Sequence, residues 1–87
     1  LTREEGATMA KILYLGTSGS DDPTRAGFPF QWALGARDAG HDAEIFLAGE
    51  ATYLMRKTLA DSVLPVAMPP LRELIDEVVA QRVPIFV

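Results

Sequence analysis

The chain has 87 residues, 48% of them apolar, no cysteine, and twelve carboxylates against eight basic side chains for a net charge of -4. That length supports one hydrophobic core and no second domain, and no apolar run is long enough to cross a membrane. Apart from Arg56-Lys57 the basic residues stand singly, which argues against a nucleic-acid partner, and without cysteine these residues hold no disulfide, no thiolate metal site and no thiol nucleophile.

Residues 1–8 lack the apolar core and cleavage pattern of a signal peptide, so the expected location is cytoplasmic. Met9 has the look of a natural start. Residues 1–8 are read as a flexible N-terminal extension and residues 9–87 as the folded α/β domain.

The first element is the run Lys11-Ile12-Leu13-Tyr14-Leu15, closed by Gly16. Its continuity predicts a strand buried on both faces, as in a parallel sheet. The turn formers from Gly16 to Asp22 follow, and Asp22 before Pro23 supplies a cap and a first helical residue. In the helix that follows, Phe30, Ala33, Leu34 and Arg37 share a face, with the Arg37 stem extending the stripe. Pro29 predicts an irregular start with regular helix over residues 30–39, and Gly40 supplies the stop.

Residues 43–47 read as a second strand, and Gly49-Glu50 as the opening of a second helix with Ala51, Leu54, Met55 and Leu59 on one face. Residues 60–69 read as an irregular loop packed down on the body. Leu71, Leu74, Ile75 and Val78 then define a helix with Pro70 near its first turn, and residues 83–87 a third strand with Pro84 at its start or edge.

Alternating strands and helices predict right-handed crossovers and a parallel sheet in an α/β fold. In such sheets ligands bind beyond the carboxyl ends of the strands, which here means the loop after Gly16, the Gly49-Glu50 turn and whatever follows Val87. Gly16, Thr17, Ser18 and Gly19 can present backbone N–H groups and hydroxyls to an anion. They read first as the residues of an ordinary βα turn, since no P-loop lysine or GxGxxG spacing accompanies them and adjacent Asp21-Asp22 would repel an anion. Glu50 can orient a substrate or accept a proton, and it also suits a first helical turn through the helix dipole. His41 falls at the opposite end of the sheet and is assigned to the surface.

Phe28, Phe30 and Trp32 alternate and so cannot all enter one helical stripe; Phe28 or Trp32 is expected to serve an interface with another subunit. Three strands leave an apolar edge, which predicts a homo-oligomer or further chain to cover it. No catalytic residue, metal ligand set or cofactor is assigned.

The run from Asp21 to Phe30 after a strand and glycine loop, the run from Ala39 to Ala51 through the second strand, and Pro70 to Ile75 followed by Val83 to Val87 resemble, in that order, the DsrE/DsrF-like family. The resemblance implies a three-layer α/β/α fold whose intact sheet has five parallel strands, three of them here. It implies oligomers and persulfide relay between cysteines, with a sulfur-donor or acceptor protein as partner. The family's cysteine segment, which follows the third strand, is not among these residues. A non-catalytic oligomeric domain binding a small ligand or a partner protein is the alternative.

Overall fold

The computed structural model describes residues 10–87; the expected extension over residues 1–8 lies outside them. Three strands, β1 (Lys11–Gly16), β2 (Asp42–Leu47) and β3 (Ile85–Phe86), form one sheet in the order β1-β2-β3, with both pairs parallel. Between them lie α1 (Pro23–Asp38), a 3-10 helix (Gly49–Met55), the single turn α2 (Lys57–Ala60) and α3 (Leu71–Ala80). The expected α/β class with a parallel sheet is what the chain forms.

Helix α1 runs unbroken from Pro23, although the sequence predicts irregularity before Phe30. The Asp22 carboxylate accepts the Arg25 N–H at 3.1 Å and so closes the first turn. Pro29 removes the N–H that the Arg25 carbonyl would receive, and its buried ring lies over Gly16, where a Cβ would come within 2.9 Å of it. The buried side of α1 is Ala26, Phe30, Ala33 and Ala36. Arg37 leaves the expected stripe: its guanidinium donates to the Gln81 carbonyl at 3.0 Å and faces Asp42 at 3.8 Å.

Both long helices end in the same hydrogen-bonded motif. After α1, Gly40 N–H bonds the Arg37 carbonyl and His41 N–H the Ala36 carbonyl, each at 2.9 Å, with Gly40 at φ 89°. After α3, Arg82 N–H bonds the Val79 carbonyl and Val83 N–H the Val78 carbonyl, each at 3.0 Å, with Arg82 at φ 60°. The position that glycine fills in the first motif is thus filled by arginine in the second.

The core joins Ile45 and Leu47 of β2 to Phe30, Ala33, Leu54, Val63, Leu71 and Val78. The strand order follows the sequence, so crossovers of the usual right hand would step the same way, and the buried residues of β2, α1 and α3 do meet on one face of the sheet. The other face therefore stays open. Leu13 is 59% and Leu15 63% exposed, alternating with half-buried Ile12 and Tyr14, so the expectation of a first strand buried on both sides does not hold for residues 10–87. Leu15 pairs with Phe46, and Phe46 with Phe86, which extends this exposed apolar row across all three strands.

The expected helix after Gly49 is broken into the 3-10 helix and α2, with Arg56 extended at ψ 124° between them. Three residues per turn stack Ala51 and Leu54, which are buried, and turn Met55 outward. The Thr52 hydroxyl donates to the Gly49 carbonyl at 2.8 Å and steadies that tight turn. The loop over residues 61–69 packs down as expected. Val63 and Pro65 are buried, a Cβ on Gly27 would meet the Pro65 ring at 2.9 Å, and Val66 N–H bonds the Thr24 hydroxyl at 3.1 Å. Its other end is tied by Arg72, which donates to Asp61 at 2.8 Å and lies 3.6 Å from Asp76; the hydrogen bond to Asp61 is the main reason its pKa is raised.

Candidate functional site

The chain leaves β1 at Gly16, whose carbonyl accepts the Ala48 N–H at 2.9 Å, so the exits of β1 and β2 are held side by side. Thr17 is exposed and Ser18 half-buried, and neither hydroxyl has a hydrogen-bond partner among the described residues. The next residues fold back on themselves. Gly19 N–H donates to the Asp21 carboxylate at 2.7 Å, and Asp22 N–H to the Gly19 carbonyl at 3.1 Å. Two amides that an incoming anion would need, those of Gly19 and Arg25, are therefore already satisfied by the chain's own carboxylates.

Gly19 and Glu50 meet through backbone. A Cβ at Gly19 would lie 2.5 Å from the Glu50 carbonyl oxygen, closer than any real side chain permits, so glycine is what lets the two strand exits close together. The Glu50 side chain sits on the exposed start of the 3-10 helix and does not enter the cleft described next.

A cleft of about 280 Å³ opens beside the carboxyl end of β1, lined by Gly16, Thr17 and Ser18, by Leu13, Tyr14 and Leu15 of β1, and by Arg25, Phe28, Pro29 and Trp32 of α1. The expected site residues thus divide: Gly16, Thr17 and Ser18 join Phe28 and Trp32 around one cleft, whereas Gly19 and Glu50 form a separate backbone contact behind the loop. Phe28 and Trp32 stack with ring centroids 4.8 Å apart and planes 17° from parallel. Phe30 is fully buried while Trp32 remains 53% exposed, so the three alternating aromatics divide between core and cleft.

Arg25 was not among the sequence-predicted site residues. It lies at the polar end of the cleft, and its Nε is 3.5 Å from Asp22 Oδ2. Its terminal nitrogens make no hydrogen bond among the described residues. The signal for it was spacing: Arg25, Phe28, Pro29 and Trp32 stand at i, i+3, i+4 and i+7, a second stripe beside the core stripe of α1. At the far end of the sheet, His41 Nδ1 accepts the Ala10 N–H at 3.1 Å, a structural bond remote from the cleft.

What the arrangement offers is a concave site of mixed polar and apolar lining, with the Thr17 and Ser18 hydroxyls and the Arg25 guanidinium near the strand end. It contains no nucleophile stronger than a hydroxyl. A model of the DsrE/DsrF-like family matches residues 10–87. Comparison with curated proteins and with solved structures gives no match.

Proposed function

The chain belongs to the DsrE/DsrF-like family, and from that premise we propose that it is a component of intracellular sulfur relay whose strand-end crevice receives the sulfur carrier. The family match across residues 10–87 carries this reading. The cleft at the carboxyl end of β1 supports it, since a parallel sheet concentrates its ligand chemistry beyond such strand ends. The chain has no cysteine, so the thiolate that takes and passes sulfur comes from outside these 87 residues, in the same polypeptide or in a donor or acceptor protein. Hydroxyls of Thr17 and Ser18 are far too weakly acidic to substitute for it.

Intact-protein mass spectrometry after incubation with a persulfide donor tests the assignment. These 87 residues take up no sulfur, while a longer product of the same gene that contains a cysteine gains one sulfur atom and loses the gain when that cysteine is replaced. A longer, cysteine-bearing protein that stays unmodified refutes the relay.

A second reading, an oligomeric binding domain without chemistry, is favoured by one observation, the exposed row Leu15, Phe46 and Phe86 on the open face of the sheet. Under either reading the protein is a homo-oligomer, because such apolar surface costs about 25 cal/mol per Å² in water. Among the described residues no helix is long and apolar enough to cross a membrane, and a cytoplasmic location completes the proposal.

A further inference from the structure

We infer that the cleft between β1 and α1 binds a small aromatic anion, a single flat ring carrying one sulfonate, carboxylate or phosphate-type group. This rests on the strand-end crevice being the functional site, and it names the class of molecule the crevice selects.

Size limits the ligand first. The cleft of about 280 Å³ lies just under the roughly 300–1,000 Å³ of sites for drug-sized molecules. It accommodates one ring with a short substituent. Shape comes next. The stacked Phe28 and Trp32 rings stand on α1, and Leu13 and Leu15 of β1 also line the cleft. Trp32 is 53% exposed although it stacks on Phe28, so part of the indole remains uncovered for a further ring.

Charge fixes the orientation. Of the polar side chains that line the cleft, Thr17, Ser18 and Arg25 stand where β1 gives way to the loop and α1 begins, and Tyr14 stands within β1. Both hydroxyls are without partners among the described residues, and Arg25 commits only Nε to Asp22, at 3.5 Å. Asp21 is turned onto the Gly19 N–H and Asp22 onto the Arg25 N–H, and neither lines the cleft. A ring seated against Trp32 with its anionic group at Thr17, Ser18 and Arg25 satisfies the apolar walls and the idle donors together.

Trp32 is the sole tryptophan of the chain, so its fluorescence reports occupancy directly. The full chain is titrated with benzenesulfonate, with benzyl alcohol as a neutral ring and with inorganic sulfate as an anion without a ring. Saturable quenching by benzenesulfonate, with the other two at least about tenfold weaker, is the expected result. Arg25→Gln weakens benzenesulfonate about tenfold and leaves benzyl alcohol unchanged. Trp32→Leu, followed by calorimetry, weakens both aromatic probes. Both side chains are exposed, and unchanged circular dichroism verifies that each variant is folded. Sulfate binding as tightly as benzenesulfonate, or Arg25→Gln binding benzenesulfonate like the parent, overturns the inference. A cysteine-bearing longer protein that loads sulfur but ignores benzenesulfonate overturns this inference alone; one that binds benzenesulfonate but never loads sulfur overturns only the relay.

Discussion

Replacing Arg82 by glycine should make the protein more stable. Arg82 sits at φ 60° in the motif that ends α3, where Gly40 sits at φ 89° in the matching motif after α1. A side chain at left-handed φ places Cβ against the neighbouring carbonyl, which costs about 1–2 kcal/mol. Glycine removes that clash but loses more backbone entropy on folding, about 0.5–1 kcal/mol. The difference leaves a net gain of about 0.5–1 kcal/mol, or several degrees in Tm for a domain of this size. The guanidinium of Arg82 has no partner among the described residues, so its loss removes no hydrogen bond or ion pair there. Arg82→Ala separates the two effects, because alanine discards the charge and keeps the strain. Urea unfolding followed by circular dichroism should place Arg82→Gly above the parent and Arg82→Ala close to it, with equal m-values. If Arg82→Gly is no more stable than Arg82→Ala, backbone strain at this residue is not the operative term.

Phe30→Ala empties a fully buried position between α1 and the sheet and should cost about 3–5 kcal/mol, read from the same unfolding curves. Gly19→Ala forces a Cβ against the Glu50 carbonyl and should cost about 1–3 kcal/mol, as overpacking does. Gly35→Ala, where a Cβ meets nothing within 4 Å, should instead gain about 0.5–1 kcal/mol from helix propensity; a loss at Gly35 or indifference at Gly19 would contradict the packing described. Leu15→Lys places a charge in the open apolar row of the sheet and should shift the light-scattering mass toward the monomer, whereas an unchanged oligomer puts the interface elsewhere.

Much of the fold was written in short-range pattern. Residues 11–15, 43–47 and 71–78 declare their elements by apolar period, and Asp22-Pro23 and Gly40 mark the ends of α1. Two features depended on information that no local window holds. Ala51 and Leu54, three residues apart, suit a 3-10 turn as well as an α-helix, so the break at Arg56 left no mark in the spacing. The apolar residues of β1 announced burial on both sides, but which face receives a helix follows from strand order, and here both crossovers go to the same side. The cleft was half legible. Thr17 and Ser18 follow from the glycine loop at a strand exit, but the stripe of Arg25, Phe28, Pro29 and Trp32 mixes charge, ring and proline and has no apolar contrast to separate it from surface.

The agreement between strand order and chain order also bears on how the molecule assembles. Six residue pairs join β1 to β2, from Lys11↔Asp42 to Gly16↔Leu47, so this register can be complete once residue 47 has emerged during synthesis. Among the described residues no earlier strand waits for a later one to be inserted beside it, and the longer closure, about 40 residues from Ile45 to Ile85 against about 31 from Lys11 to Asp42, comes second. β3 joins last, through the two pairs Ile45↔Ile85 and Phe46↔Phe86. Amide exchange should therefore be slowest across β1 and β2, with the β2 to β3 ladder opening at much lower free energy than the whole domain.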